Sequence, residues 1–458
     1  MTLTGAASAA RTARPGAAPS GEGRSLTWLL AAYPLWWALG MGVLIIPLAA
    51  AVAAVRLLRR GSVAVPPAFG WWLLFLLTVT LSLAHLGVDP PGTVAETWVA
   101  NLPGATFRFG FYCCVTLIVL WAYNLLVEGH YPKERLIRLL AWLFAVTVAG
   151  GLLGVLAGGF EYTSPVEALL PESVAADGFV QSLVHPSAAQ TMDFLGYETP
   201  RPAAPWGYTN TWGNNFAITV VWFVVAAFCL PLATRRRVAA VALLAVSLVP
   251  AVHSMNRGLW LGLAAIAVFA ALRLLASGRP AGLAALGGAG AAAVLLVALT
   301  PLGTVVQARL DNGHSDDGRA FSSETAAELV LRHSPVLGFG STRKTLGSGD
   351  SIAVGPTPEC PRCGARTLGG NGQLWQVLFA HGLAGTVTYL GFALSVLWRF
   401  RSDHSAIGIA GSAVIGLSLL SMFYYNALVT PLLLTLLSYA LLAANRIPVP
   451  LGTTTENP

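Results

Sequence analysis

The chain has 458 residues, of which 55% are hydrophobic and 10% are charged, and its mean hydropathy is +0.67. Soluble globular domains carry about 25% charged residues, so this composition excludes the soluble, disordered and fibrous classes and predicts an integral membrane protein. The formal net charge is +7, and its meaning depends on the side of the membrane on which the charges lie.

The composition divides the chain into three parts. Residues 1–26 are rich in Ala, Arg, Gly, Pro and Ser and do not combine a long apolar core with a cleavage pattern, so they predict a disordered cytoplasmic tail rather than a signal peptide. Residues 27–447 form the predicted polytopic membrane domain, and residues 448–458 form a short polar tail. The predicted fold class is all-α, with transmembrane helices and a large extracytoplasmic loop.

The membrane domain is predicted to cross the bilayer 11 or 12 times. A spanning helix needs about 20 mostly apolar residues, and the stretch 27–56 is long for one such helix and short for two. Pro34, the Gly40–Gly42 break and Pro47 would permit a short helical hairpin, which gives the higher number. The other predicted spans are 68–86, 107–127, 137–158, 214–233, 238–253, 257–275, 281–304, 372–397, 405–423 and 426–444.

The positive charges are concentrated in alternate short loops, which predicts that these loops are cytoplasmic. The arginines of the N-terminal tail favour the same side, and so favour the hairpin and 12 crossings. The opposite side is net acidic. The positive net charge of the chain therefore reflects its orientation in the membrane, and nucleic acid is not a predicted partner. The cations of the predicted cytoplasmic loops are Arg56, Arg59, Arg60, Lys133, Arg135, Arg138, Arg235, Arg236, Arg237, Arg273, Arg279, Arg399, Arg401 and Arg446.

Two long loops, at about 160–213 and 305–371, are predicted on the extracytoplasmic side. Loops longer than about 15 residues are commonly functional. Chemistry on that side has no supply of ATP or sugar nucleotides, and the sequence contains neither a G-x-x-x-x-G-K-S/T phosphate loop nor a metal-ligand cluster of regular spacing. We therefore expect no metal and no cofactor.

Aromatic and amide residues alternate where the first long loop ends. Trp206, Tyr208 and Asn210 could form a carbohydrate surface, with rings stacking on sugars and amides bonding hydroxyls. An aromatic belt at the membrane interface has the same composition. The sequence leaves both interpretations open.

Arg257 follows a short turn between two predicted spans. An arginine at the membrane boundary is expensive if it is buried without a partner, which makes it a functional candidate. The alternative is an arginine that extends to the lipid headgroups. The shortness of the turn favours function, because the guanidinium cannot lie far from the interface.

The second long loop begins with Arg319 and continues into a predicted helix over 322–333. Ser322 or Ser323 is predicted to cap this helix, with Glu324 in its first turn.

Arg332 lies in the last turn of that helix, and Arg343 follows a glycine-containing turn. Such a basic cluster could bind an anionic headgroup or a diphosphate through the fork of the guanidinium. A solvated basic patch that neutralises nearby aspartates is the alternative.

Histidines are the natural general bases near neutral pH. The histidines on the predicted external side are His85, His185, His253, His314 and His333. Of these, His253, His314 and His333 are the candidate bases. Each of them could equally have a structural or solvated role.

Cys360 and Cys363 form a C-P-R-C sequence in the second loop. No second pair completes a zinc site, and in an oxidising compartment a local disulfide is favoured over metal or redox chemistry. The bond would shape this turn without holding the fold together.

Taken in order, four short segments resemble the O-antigen ligase and Wzy-type polymerase superfamily of bacterial envelope proteins. The resemblance covers about residues 200–400. The segments are Arg201 with Gly207–Asn210, then Ser254–Gly258, then Arg319 ahead of a helix that leads into Ser334–Gly340, and finally Asn371–Gly385.

This resemblance implies a fold of about a dozen helices with a large periplasmic loop, in the bacterial cytoplasmic (inner) membrane. Members of the family transfer glycan from undecaprenyl diphosphate to an acceptor sugar or lipid glycan, without metal or nucleotide. The resemblance implies that Arg257 and Arg319, with Arg201 as a weaker match, hold the donor diphosphate. Membrane lipids are the other expected partners.

The sequence departs from the family at one position. The family commonly has a histidine where this chain has Asn371, and the amide of asparagine is not a basic proton acceptor. Another residue could serve as the base, with His333, His314, His253 and Glu324 as candidates, or catalysis could rest on donor activation and positioning. A loss or change of activity is the third alternative.

The leading prediction is an inverting membrane glycosyltransferase that uses a lipid diphosphate donor. The runner-up is a transporter or flippase of lipid-linked glycans, which would need charged residues within the spans. The third alternative is a non-catalytic protein of envelope polysaccharide assembly, for which the absent histidine is the informative feature.

Overall fold

A computed structural model of the chain describes residues 21–193, 198–311, 316–345, 367–370 and 372–446. Most of these residues are helical. In chain order the helices are α1 (Arg24–Ala31), α2 (Tyr33–Ala38), α3 (Ile45–Leu58), α4 (Phe69–Ser82), α5 (Trp98–Val127), α6 (Lys133–Leu156), α7 (Pro165–Ala168), α8 (Glu172–Ala175), α9 (Gly178–Val184), α10 (Thr209–Val224), α11 (Thr234–His253), α12 (Arg257–Ala276), α13 (Pro280–Ala298), α14 (Leu302–Asp311), α15 (Asp316–His333), α16 (Gln373–Arg399), α17 (Ala406–Ser421) and α18 (Thr430–Asn445).

Seven helices of the described residues are long and apolar enough to cross a membrane. They are α5, α6, α10 with the π-helical turn that extends it to Cys229, α11, α12, α13 and α16. Four shorter apolar helices, α3, α4, α17 and α18, accompany them. The fold-class prediction is thus confirmed in its coarse form. The chain is mostly helical, and it has several long apolar helices of the kind found in multi-pass membrane proteins. The number of crossings and the side of each loop stay predictions.

The helices differ in how much of their surface other helices cover. Almost every residue of α18 is buried, so this 16-residue helix lies inside the bundle. In contrast, α13 has no buried residue, although its composition is apolar throughout. A helix that exposes apolar side chains on all faces needs lipid or another apolar partner around it.

Aromatic side chains fill the centre of the bundle. The indole of Trp72 contacts Phe75, Tyr112, Tyr389 and Phe392, with ring centroids between 5.3 and 6.3 Å apart. Large rings bury the most apolar area per residue and favour tilted or edge-to-face contacts. This cluster joins α4, α5 and α16.

The stretch predicted as a hairpin consists of α1, α2 and α3, with the break at Gly40–Gly42 as the sequence indicates. Gly40 has φ +78°, and a Cβ at this position would overlap the hydroxyl of Ser164 and lie 2.5 Å from the carbonyl oxygen of Val184. Glycine is therefore required where the hairpin meets the first long loop.

The first long loop has more regular structure than the all-α prediction gave it. It contains α7, α8 and α9, followed by an antiparallel pair, β1 (Ala189–Asp193) and β2 (Glu198–Pro202). Ser164 and Glu167 form a capping box at the start of α7, and His185 Nδ1 lies 2.8 Å from Glu167 Oε2. These contacts join the start of α7 to the residue that follows α9, within the loop itself.

The second long loop contains α14 and α15, then β3 (Lys344–Thr345) paired with β4 (Thr367–Leu368). The helix predicted over 322–333 is present but begins earlier, at Asp316. The prediction that Ser322 or Ser323 caps it is wrong, because both residues lie inside the helix and Ser322 is buried.

Helix α16 is broken at Gly382, which has φ 61° and ψ −160°. The segment 335–340 inserts at this break. The backbone N–H groups of Phe339 and Gly340 donate to the carbonyls of Phe379 and Ala380, each at 2.9 Å.

The opposite side of the break is bonded in the same way. The N–H groups of Leu383 and Ala384 donate to the carbonyls of Pro335 and Val336 at 2.8 and 3.1 Å. Buried peptide groups must be paired, and these four bonds supply partners on both sides of Gly382.

Candidate functional site

The turn between α11 and α12 collects arginines from distant parts of the chain. The turn consists of Ser254 and Met255. Arg201 of β2 donates from Nε to the carbonyl of Ser254 at 2.6 Å, and Arg309 of α14 donates from Nε to the carbonyl of Met255 at 3.2 Å. Both arginines are 4% exposed. Arg257 follows two residues later as the first residue of α12, so the turn lies among three arginines, called here the arginine turn.

The electrostatics of this site are governed by burial and by positive charge. The pKa of Arg201 is lowered to about 10, mainly because the side chain is buried; the hydroxyl of Tyr425 acts in the opposite direction, and the charges of Arg309 and Arg319 add to the lowering. Arg319 also influences Tyr425. Arg319 of α15 therefore lies within electrostatic reach of the arginine turn, and several cations together favour an anionic ligand.

Asn256 fixes the shape of the arginine turn. Its side-chain oxygen caps α12 by accepting from the N–H of Leu259 at 3.3 Å, and it also accepts from the hydroxyl of Tyr425. Its amide nitrogen donates to the carbonyl of Thr209 at 3.4 Å. A Cβ on Gly213 would lie 2.5 Å from that nitrogen, so glycine permits the close approach of α10.

Tyr425 connects the arginine turn to α16. Its carbonyl accepts from the N–H of Gln373 at 2.8 Å. The Gln373 side chain accepts from the N–H of Ala427 at 3.0 Å and donates to the hydroxyl of Tyr112 at 2.9 Å. A continuous set of hydrogen bonds thus runs from the arginine turn to α5.

Of the three candidate bases, His253 lies at the arginine turn. It is the last residue of α11, and its Nδ1 lies 2.9 Å from the carbonyl oxygen of Val249. Because a carbonyl only accepts, Nδ1 carries the proton and Nε2 is left with a lone pair. His333 is exposed at the end of α15, and His314 lies outside the described residues.

The other predicted ligands are scattered. Arg332 is paired with Glu328 at 2.9 Å and is 72% exposed, and Arg343 follows the segment that inserts into α16. Tyr208 and Asn210 are exposed. Asn371, Cys360 and Cys363 lie outside the described residues, so the predicted disulfide and the role of Asn371 stay predictions.

Trp206 does not lie on a surface where it could stack on sugar. It is 6% exposed, its indole N–H donates to the hydroxyl of Thr147 at 3.0 Å, and its ring centroid is 4.4 Å from that of Tyr33. The carbohydrate-surface interpretation is corrected for this residue, because Trp206 packs in the bundle.

Four residues that the structure singles out were not among the sequence-based candidates: Arg309 and Tyr425 at the arginine turn, Arg108 in α5 and His381 in α16. In the sequence Arg309 lies two residues before Asp311. Neighbouring opposite charges are typical of a solvated surface, so Arg309 did not stand out as a candidate. Arg108 is the clearest missed signal, since it is an arginine within a predicted span.

Among the described residues, no group of three or more His, Cys, Asp or Glu side chains is arranged to hold a metal ion. No family model, no curated protein and no solved structure matches the chain.

Proposed function

We propose that this chain is a membrane glycosyltransferase, similar to the O-antigen ligases and Wzy-type polymerases, that acts at the outer face of the bacterial cytoplasmic membrane. The donor would be a glycan on a polyprenyl diphosphate, and the acceptor a sugar or lipid glycan. The observation that carries the proposal is the arginine turn, where Arg201 and Arg309 converge beside Arg257 within electrostatic reach of Arg319.

The chemistry of this transfer suits a cluster of arginines. The acceptor hydroxyl attacks the anomeric carbon, the bond from that carbon to the diphosphate oxygen breaks, and the electron pair leaves with the diphosphate. Guanidinium groups that bind the diphosphate stabilise the charge that develops on it. Buried arginines held by backbone carbonyls are already oriented for this role.

The proton of the acceptor hydroxyl needs a base. His253 is favoured over His333 because it adjoins the arginine turn and keeps a lone pair on Nε2. A general base contributes about 100-fold or more to such a step. Asn371 would have a binding role at most, since its amide cannot take the proton.

The first test replaces the proposed donor ligands in cells. Arg257→Ala and Arg319→Ala are expected to reduce surface glycan at least tenfold and to increase the lipid-linked donor, while protein abundance stays normal. Arg332→Ala is the matched control, because Arg332 is exposed and paired with Glu328. Gel analysis of extracted glycan gives the readout. Surface glycan of normal length in both variants would overturn the proposal.

The base is tested separately with His253→Gln and His333→Gln. The first change should lower the transfer rate about 100-fold with little effect on donor binding, and the second should leave the rate unchanged. If the rates of the two variants are reversed, His253 is not the base, although the role of the arginines would stand.

One observation favours the second candidate, a transporter of lipid-linked glycans. Arg108 lies within α5, which is long and apolar enough to span the membrane, and transport paths contain such residues. A transporter defect leaves the lipid-linked donor on the cytoplasmic side, whereas a transferase defect leaves it on the outer side. For a non-catalytic assembly protein, donor binding without turnover is the expected result.

A further inference from the structure

An open groove lies between the start of α4 and the end of α16, called here the α4–α16 groove. It has a volume of about 400 Å³ and is lined by Pro67, Ala68, Leu394, Ser395, Trp398 and Arg399. This volume is within the range of sites that bind small ligands. The four lining residues of α16 are spaced i, i+1, i+4 and i+5, so they share one face of the helix. None of the six lining residues is acidic.

The α4–α16 groove lies where the apolar helices end. α4 begins at Phe69 and α16 ends at Arg399, and α16 is long and apolar enough to span the membrane. Leu394 and Trp398 are 55% and 69% exposed. In a membrane, exposed leucine faces lipid chains, and tryptophan is favoured at the level of the headgroups. The groove from Leu394 to Arg399 therefore suits a ligand with an acyl chain and a polar head.

Contacts within the protein already hold the groove in shape. Gly391 lies about one turn before it, and a Cβ at Gly391 would be 2.6 Å from the ring of Trp71, so α4 and α16 are in close contact there. On the other wall, the hydroxyl of Tyr439 donates to the carbonyl of Pro67 at 2.5 Å. Ala68 then leads into α4 with φ 71°, a left-handed conformation that is uncommon for a residue with a Cβ. A ligand would therefore find both walls in place.

Arg401 lies beside the α4–α16 groove because it stacks on one of the lining residues. Its guanidinium carbon is 4.0 Å from the ring centroid of Trp398, and its Nη1 donates to the carbonyl of Trp398 at 2.8 Å. The backbone carbonyl of Arg401 accepts from the guanidinium of Arg273, which also donates to the carbonyl of Asp403. A cation that is fixed in this way loses little freedom on binding.

The charges of Arg399 and Arg401 are not neutralised within the described part of the chain, where neither forms an ion pair with a carboxylate. Asp403 is the nearest acid in sequence, and its carboxylate accepts instead from the N–H of Ser405 and from Asn445 Nδ2, each at 3.0 Å. Guanidinium groups bind phosphate through paired hydrogen bonds. An anionic headgroup would neutralise the arginines, whereas the choline of a zwitterionic lipid would bring another cation beside them.

We propose that the α4–α16 groove binds one anionic phospholipid of the cytoplasmic leaflet. The headgroup phosphate contacts the guanidinium groups of Arg399 and Arg401, and an acyl chain lies against Leu394 and Trp398. Both arginines belong to a predicted cytoplasmic loop, and the anionic lipids of that leaflet attract cations near the membrane surface. The groove lies at the end of α16, whereas Gln373 at its start is bonded to Tyr425 of the arginine-turn network. The proposal therefore does not depend on the proposed transfer reaction.

Native mass spectrometry of the purified full chain in detergent tests the headgroup contact. The protein is titrated with phosphatidylglycerol and, separately, with phosphatidylcholine of the same acyl chains, and the wild type should bind phosphatidylglycerol more tightly. Arg399→Gln and Arg401→Gln should each weaken phosphatidylglycerol binding about fivefold, the effect of one arginine near an anionic membrane surface. Arg236→Gln is the matched control and should bind as the wild type does, because Arg236 is exposed on the same predicted side but does not line the groove.

A second pair of variants tests the acyl-chain contact without a change of charge. Ser395→Phe places a ring in the groove and should weaken phosphatidylglycerol binding about fivefold or more, since apolar area of the lipid then stays unburied. Val387→Phe is its control, because Val387 is exposed on α16 outside the groove.

Equal binding of the two lipids by the wild type, or phosphatidylglycerol binding that Arg399→Gln or Ser395→Phe leaves unchanged, would overturn the proposal. A dimer that Ser395→Phe dissociates while lipid binding stays the same would also overturn it, since the occupant of the groove would then be a second copy of the chain. Glycan transfer plays no part in this test, so the two proposals can fail independently.

Discussion

Lys344 is one of the largest fully buried side chains of the described structure, and it carries a charge. Its Nζ bonds the carboxylates of Asp89 and Glu96, whose side chains are 25% and 35% exposed. The ion pair thus joins the segment between α4 and α5 to β3. Removing one partner of a buried pair leaves the other charges without compensation.

Lys344→Met is therefore expected to lower the free energy of unfolding by about 3 kcal/mol, the lower end for a buried pair, because water reaches both carboxylates. Arg332→Met removes an exposed pair four residues apart on a helix and should cost about 0.5 kcal/mol or less. Thermal unfolding of both variants in detergent, followed by fluorescence, measures the difference. Equal stability of the two variants would contradict the role given to Lys344.

At the residue scale, the sequence shows which side chains could bind or react better than it shows which residues surround each of them in the fold. Arg257 could be selected because an arginine beside a span is unusual, and Arg319 because of the family resemblance. Arg309 could not, because what distinguishes it is its bond to the carbonyl of Met255, a contact across more than 50 positions. Trp206 looked like a surface ring, yet the same apolar face packs equally well on Tyr33.

The break in α16 shows how an element depends on a distant segment. Gly382 combines φ 61° with ψ −160°, a backbone region that is populated essentially by glycine. A Cβ there would overlap the carbonyl of Val336, and Gly338 faces the same crowding at φ +64°. The inserted segment and the helix can approach only because both residues lack a side chain.

Gly382→Ala is expected to lower the melting temperature and the yield of folded protein, because the new methyl group would force the inserted segment away from α16. Gly416→Ala is the control, since a Cβ at Gly416 in α17 meets nothing within 4 Å. Size-exclusion chromatography and thermal unfolding give the readouts. The interpretation fails if the alanine at 382 is as well tolerated as the one at 416.

Element positions were largely predictable and element ends were not. The apolar runs locate the long helices, because a hydrocarbon environment requires them. α5 begins at Trp98 rather than near 107, since the capping hydroxyl of Thr97 accepts from the N–H of Ala100. The β1–β2 pair was missed because its strands have no alternating apolar pattern.

The whole molecule separates into covered and uncovered helices. α5, α6, α16 and α18 have extensive buried faces, whereas α12 and α13 present apolar side chains outward. The sequence predicts the membrane class from composition alone, but it cannot rank helices by burial, because buried and lipid-facing helices are equally apolar. Only packing distinguishes them.

Sidedness is the prediction that belongs to the whole molecule. In a cysteine-free background, a cysteine replacing Ser173 in the first long loop should react with a membrane-impermeant maleimide in intact spheroplasts. A cysteine replacing Ser62, between α3 and α4, should react only after lysis, because Arg59 and Arg60 favour the cytoplasmic side. Both serines are exposed, so access alone does not separate them. Equal labelling before lysis would refute the orientation.

The bonds that join segment 335–340 to α16 also bear on how the protein is made. The chain emerges from the ribosome in order, so Pro335–Gly340 is present before α16 leaves the translocon. The carbonyls of Phe379 and Ala380 and the N–H groups of Leu383 and Ala384 find their partners in that earlier segment. Peptide groups without partners are costly in hydrocarbon. Membrane insertion of α16 therefore depends on the loop translated before it and does not need to wait for the helices that follow.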